Sequence, residues 1–150
     1  VGGIFGVVPR LKLLEVDTET LAENLLAVVN QRLVRRICPH CATEHPVTPA
    51  EREWLESVGP LEAPLPETLS HGAGCPACRH TGYLGRLPVY ELLEVGRDMA
   101  DAIAADADRA TLRTHAMAGG LQPIHRQARR RVLAGQTTVD EILRTVGAAG

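Results

Sequence analysis

Apolar residues recur at four-residue steps early in the chain, where Leu21, Leu25, Val29 and Leu33 follow the polar stretch Asp17-Thr18-Glu19-Thr20. That spacing predicts a helix capped by Asp17 or Thr18, running to about Ile37 with one buried stripe. Ahead of it, residues 1–14 begin apolar and glycine-rich and turn basic at Arg10 and Lys12. Thr48-Pro49-Ala50-Glu51 reads as a capping box with proline at the first helical position. It predicts a short helix carrying Trp54, Leu55 and Val58 and closed by Gly59, with Trp54 in the core. Residues 60–74 hold three prolines and two glycines without a period, which predicts a loop. Val89-Tyr90-Glu91-Leu92-Leu93 predicts a strand or extended segment. Four helices are then expected. The first covers 97–105, with Met99 and Ile103 inward, and the second 109–118, with Leu112 and Ala116 inward, ending at Gly119-Gly120. The third starts at Pro123 and steps through Ile124, Ala128 and Val132, with Gly135 past its end. The last is opened by a Thr138/Glu141 capping box and carries Val139, Ile142, Leu143 and Val146 at i, i+3, i+4, i+7 spacing. The pattern therefore predicts a mainly α fold.

Composition narrows the picture. At 150 residues the chain is one domain or two small ones. Hydrophobic residues make up 45% but aromatics only 3%, so the core is expected to be aliphatic. A net charge of −2 argues against nucleic acid as the partner. The runs Arg35-Arg36 and Arg129-Arg130-Arg131 read as solvated helix faces, and Arg32 and Arg36 suit the negative end of the first long helix. No apolar run reaches the length of a membrane-crossing helix. The first residue is Val1, so a piece of a longer protein is expected.

The four cysteines stand in two Cys-x-x-Cys turns, Cys38-Pro39-His40-Cys41 and Cys75-Pro76-Ala77-Cys78. Each turn aims two sulfurs at one point, and two such turns surround a tetrahedral ion, so a structural zinc site is expected. A disulfide framework would suit a secreted chain, but nothing here resembles a signal peptide. A redox Cys-x-x-Cys needs a βαβ unit, which the pattern lacks. Spacing alone does not separate zinc from a rubredoxin-type iron centre. The 33 residues between the pairs form a long loop, but closure cost grows by only about 0.6 kcal/mol per doubling. His40, His45, His71 and His80 lie nearby and read as loop residues or as donors around the sulfurs. Free-thiol metal chemistry implies a reducing compartment. The sequence has no Gly-x-x-x-x-Gly-Lys-Ser/Thr phosphate loop, no Gly-x-Ser-x-Gly and no His-Glu-x-x-His, so no catalytic or nucleotide-binding residue is assigned.

Three strings carry a resemblance: Gln31-Arg32-Leu33-Val34-Arg35-Arg36-Ile37-Cys38-Pro39-His40-Cys41, then Gly74 to Arg86 followed by Val89-Tyr90-Glu91-Leu92-Leu93, and Gly135-Gln136-Thr137-Thr138-Val139-Asp140-Glu141-Ile142-Leu143-Arg144. Together, over roughly residues 9–147, they resemble the C-terminal part of the bacterial type II secretion and type IV pilus assembly ATPases. The resemblance implies a homo-hexameric motor with a RecA-like nucleotide domain, using ATP and magnesium in the full-length family protein. It implies a cytoplasmic protein, peripheral on the inner membrane, that acts on a membrane platform protein. It implies zinc on Cys38, Cys41, Cys75 and Cys78 in a protruding module. The expected division is 1–37, the end of the RecA-like domain; 38–82, the tetracysteine zinc module; and 83–150, a helical C-terminal domain. The chain departs from the family at Gln127-Ala128, where an Asp-Gly pair is usual, and at Glu15, where glycine is common. The alternative reading is a free-standing zinc ribbon that binds protein or nucleic acid.

Overall fold

The computed structural model describes residues 3–148, and within them the long helix expected from Asp17 ends after two turns. Val7–Leu13 forms α1, and Thr18–Asn24 forms α2, whose N-cap Asp17 accepts a hydrogen bond from the Thr20 N–H as expected. At Leu25 the backbone turns extended, and Ala27–Ile37 is strand β1. A four-residue step is also an even step, so Leu25, Val29 and Leu33 lie as well on one strand face as on one helix stripe. In the middle of β1 that face is the outer one, with Val29 58% and Leu33 46% exposed and Val28 and Val34 of the opposite parity buried; Leu25, ahead of the strand, and Ile37, at its end, turn inward.

The remaining strands are β2 (Ala42–Pro46), β3 (Thr68–Gly72) and β4 (Tyr83–Glu94); β1 pairs with β4 and β2 with β3. The β2–β3 pair is antiparallel, running from Ala42 opposite Gly72 to Pro46 opposite Thr68. β3 corrects the expected 60–74 loop. Thr68-Leu69-Ser70-His71-Gly72 offers one large apolar residue, so its strand character comes from the β2 ladder and the burial of Leu69 rather than from local pattern. The helix α3 (Pro49–Ser57) carries the reciprocal Thr48–Glu51 capping box, and Trp54 and Leu55 are buried. The last four helices fall where the pattern put them: α4 (Arg97–Ala104), α5 (Arg109–Ala118), α6 (Ile124–Leu133) and α7 (Val139–Thr145). The described chain is thus helical with two two-stranded sheets, more β than the mainly α expectation.

Contacts divide the chain into two compact units that are not consecutive in sequence. One comprises residues up to Asn30 with Tyr90–Pro123, and its core gathers Phe5, Leu21, Val28, Leu93, Ile103 and Leu112. The other comprises Gln31–Val89 with the chain from Ile124 onward, and its core gathers Val34, Leu55, Leu69, Val89, Val132 and Ile142. The four C-terminal helices are therefore shared, α4 and α5 going to the first core and α6 and α7 to the second.

Each arginine run has one member turned inward, Arg35 in the first and Arg129 in the second, while Arg36 and Arg130 are solvated as expected. Arg129 is 4% exposed and donates to the carbonyls of Leu55 (3.0 Å), Gly59 (2.8 Å) and Pro60 (2.7 Å), the negative end of α3. Arg35 donates through its backbone N–H (2.7 Å), Nε (3.1 Å) and Nη2 (3.0 Å) to the carboxylate of Glu141, which is buried on α7. The Glu141 N–H bonds Thr138 as a cap should, but its carboxylate turns to Arg35 and Arg144 instead of back to the cap. Burial disfavours the Glu141 anion, yet the bonds from Arg144 and Arg35 outweigh it and hold the carboxyl below its ordinary value.

Candidate metal centre

The two Cys-x-x-Cys turns are built alike. Cys41 N–H bonds Cys38 C=O at 3.4 Å, and Cys78 N–H bonds Cys75 C=O at 3.2 Å. Proline after the first cysteine sets φ for each tight turn. In the second turn Pro76–Cys78 forms a short 3-10 helix, and Arg79 and His80 follow at φ 54 and 62. Left-handed backbone is disfavoured for residues with a Cβ, so this turn is held against local preference by its surroundings.

Two glycines bring the turns together, and sequence reading did not single them out. A Cβ at Gly72 would lie 2.1 Å from the Gly82 carbonyl oxygen, so the end of β3 crosses the second turn at a distance only glycine allows. Gly82 itself has φ +82; its N–H donates to Cys78 Sγ at 3.2 Å and its C=O accepts from Cys38 N–H at 2.9 Å. Ala73 N–H bonds Cys41 C=O at 3.0 Å. The signal available in the sequence was glycine on both sides of the second cysteine pair.

The four sulfurs converge, all within 4.8 Å of one another. Cys38–Cys75, Cys41–Cys78 and Cys75–Cys78 are each separated by 3.8 Å. That is far beyond a disulfide bond of about 2.05 Å. It equals the edge, about 3.8 Å, of a sulfur tetrahedron around an ion with metal–sulfur bonds of about 2.3 Å. Backbone N–H groups of Gly74 (3.3 Å to Cys41), Cys75 (3.3 Å to Cys78) and Gly82 point at the sulfurs, as thiolates require. Burial works against ionisation at Cys78, but the N–H groups of Cys75 and Gly82 and the neighbouring sulfurs pull it to about 6. Burial pushes the Cys41 thiol up to about 12 despite the Gly74 N–H. Four thiolates at this separation repel one another, and only a bound cation lets all four ionise together. The residues fit a four-coordinate structural metal with no open position.

None of the four nearby histidines joins the cluster. His40 and His80 are exposed. His45 and His71 meet through Nδ1 atoms 2.8 Å apart, and His45 Nε2 lies 2.9 Å from Glu51 Oε1. The three groups form a chain, Glu51–His45–His71, with His45 bonded on opposite edges, and such a chain cannot close around one ion. It ties α3 to both strands of the β2–β3 pair. Burial opposes the Glu51 charge, but the Thr48 N–H and His45 hold its carboxyl below the ordinary value.

Comparison with known proteins adds a second line of observation. Residues 3–144 match the family model described as Type II/IV secretion system protein. The chain is 34% identical over 137 residues to the type IV pilus assembly ATPase TfpB of Acinetobacter baylyi, covering 91% of this chain and 23% of that protein. It is 35% identical over 141 residues to the type II secretion system protein E of Pectobacterium carotovorum, covering 93% and 26%. It is 34% identical over 137 residues to the type IV pilus assembly ATPase PilB of Thermus thermophilus, covering 91% and 15%. The chain thus spans about a quarter or less of the length of these relatives. No helix among the described residues is long and apolar enough to cross a membrane.

Proposed function

The chain belongs to the type II/IV secretion system protein family, and from that premise we propose that it is the C-terminal portion of a hexameric ATPase motor powering type II secretion or type IV pilus assembly. In this reading residues 1–37 end the RecA-like nucleotide domain, 38–82 form a zinc module, and 83–150 the C-terminal domain. ATP and magnesium bind outside these residues, since the sequence has no phosphate loop. Cys38, Cys41, Cys75 and Cys78 hold structural zinc. The ion supplies cross-linking and charge neutralisation, without redox or hydrolytic chemistry. Its task is to stiffen the module, so that nucleotide-driven movement passes to an inner-membrane platform protein without being lost in a flexible loop. The protein works in the cytoplasm, peripheral to the membrane, among neighbouring copies of itself.

The observation that carries the reading is the family match over nearly the whole chain, coupled to four sulfurs at metal-binding separation. The test is a chimera in which this chain replaces the matching segment of Acinetobacter baylyi TfpB. Pilus assembly is expected to be restored, and to be lost when Cys38 and Cys75 are both changed to serine. A chimera that is expressed, hydrolyses ATP and makes no pili refutes the reading. Metal analysis of the purified chain should find one zinc per chain.

A further inference from the structure

A cleft of about 410 Å³ opens between the Leu61–Pro66 segment and the end of α6. That volume suits an organic ligand or a short stretch of polypeptide. One wall is apolar: Leu61, Pro64, Pro66 and Leu133, with Leu61 and Leu133 still 38% and 40% exposed. The other wall is charged, from Arg129, Arg130 and Glu62.

The charged wall is short of negative charge. Arg129 is buried and donates to neutral carbonyls rather than to a carboxylate. Arg126 adds a second guanidinium close by, its Nη2 3.3 Å from where a Cβ on Gly59 would stand. Arg130 is exposed and bonds Glu62, which is itself exposed. One carboxylate therefore faces three guanidinium groups. The electrostatics agree: burial first, then repulsion from Arg126 and Arg130, lowers Arg129, with Glu62 opposing. Glu62 in turn is held below its ordinary value by Arg130 first, and then by Arg129 and Arg126.

We propose that this cleft docks a partner protein through a segment bearing a carboxylate flanked by leucine-sized aliphatic side chains. The carboxylate bonds Arg130 in place of Glu62, and the aliphatic groups cover Leu61, Leu133 and the two prolines. An inorganic anion would satisfy the arginines and leave the apolar wall wet. A purely apolar ligand would leave the charge imbalance in place. Glu62 acts as a tethered competitor for the same guanidinium. The inference uses only the residues of this cleft and stands apart from the motor reading.

The experiment is fluorescence anisotropy with the full chain and a fluorescein-labelled hexapeptide, Leu-Glu-Leu-Leu-Asp-Leu. Saturable binding is expected, with Kd on the order of 10 μM. Arg130→Glu should weaken it by about tenfold or more, with a reduced salt dependence. Leu133→Asp should weaken it similarly, and Glu62→Ala should tighten it by roughly threefold, because the competing carboxylate is gone. All three residues are exposed, and thermal melts verify that the variants fold. The proposal is overturned by the absence of saturation up to about 1 mM, by equal binding of the peptide with Gln and Asn for its acids, or by indifference to both Arg130→Glu and Leu133→Asp. It is also overturned if sedimentation shows the cleft filled by a second copy, with Leu133→Asp dispersing a dimer.

Discussion

The two units bury similar numbers of aliphatic side chains and are held in different ways. In the unit built from residues up to Asn30 and Tyr90–Pro123, the core is Leu, Ile, Val, Phe, Met and Ala, and no polar side chain among the described residues is fully buried in it. Asp17 and Asp108 cap α2 and α5, and Lys12 bonds Asp106 in the open. In the other unit lie all three buried polar side chains among the described residues, Arg129, Thr137 and Glu141, together with the four cysteines. Hydrophobic burial is non-directional and tolerates small shifts. Hydrogen bonds to a buried carboxylate and metal–sulfur bonds do not. A unit that must hold four sulfurs in one tetrahedron gains from groups that penalise every other register, and Arg35–Glu141 and Thr137 to the Arg35 carbonyl (2.8 Å) pin β1 just before Cys38.

The largest effect should come from the metal. Chelation of the proposed zinc, or Cys78→Ser, should remove a contribution on the order of 10 kcal/mol. Hydrogen exchange read by mass spectrometry is expected to rise over Gln31–Val89 and in α6 and α7, which share that core, while α4 and α5 keep their protection. Equal loss in both units would erase the contrast.

Next is Glu141→Ala. It strands the Arg35 N–H and empties a buried site, at a cost of about 3 kcal/mol in chemical denaturation, since the guanidinium groups of Arg35 and Arg144 still reach water. The same group sets the acid response. Its folded value lies below the ordinary 4.5, so its contribution is complete at neutral pH and fades as pH falls below 4.5 through the lowered value. In the Glu141→Gln variant that acid-dependent loss should shrink, as read by unfolding at pH values above and below this range.

Ile103→Ala probes the other unit, where Ile103 is 2% exposed. A loss of about 3 kcal/mol is expected, confined to the exchange of α2, α4 and α5. A matching loss around the cysteines would show the units to be one cooperative body.

The smallest effects compare one strained residue from each unit. Glu15 has φ 67 and Arg79 has φ 54. Glycine at either position removes a left-handed penalty of about 1–2 kcal/mol and adds back unfolded-state entropy, leaving a net gain of about 0.5–1 kcal/mol. Thermal melts of Glu15→Gly and Arg79→Gly should both shift upward. The Arg79 gain should vanish without metal, because nothing then holds the turn.

Legibility followed how local each signal was. Caps and periodicity located α3 through α7 because the determining contacts lie within a few residues. Two Cys-x-x-Cys turns announced the cluster because each positions its own sulfurs. The strand β1 was misread since Leu21, Leu25, Val29 and Leu33 satisfy two periods at once, and only pairing with β4 decides between them. β3 was invisible because its ladder partner lies across α3 in sequence. Glu15 shows the converse: the resemblance implies glycine at this position, and the left-handed backbone found here, φ 67, is one that glycine favours.

By itself the sequence determined the helices α3 to α7, the aliphatic character of both cores, the two Cys-x-x-Cys turns and the family. Those properties depend on neighbours in the chain and on side-chain chemistry. The tertiary structure alone decided that the four C-terminal helices serve two cores, that Gly72 and Gly82 cross in contact, and that Arg129 and Glu141 are buried rather than solvated. Each of these is set by groups tens of residues apart, whose desolvation and close approach exist only once the chain has closed on itself.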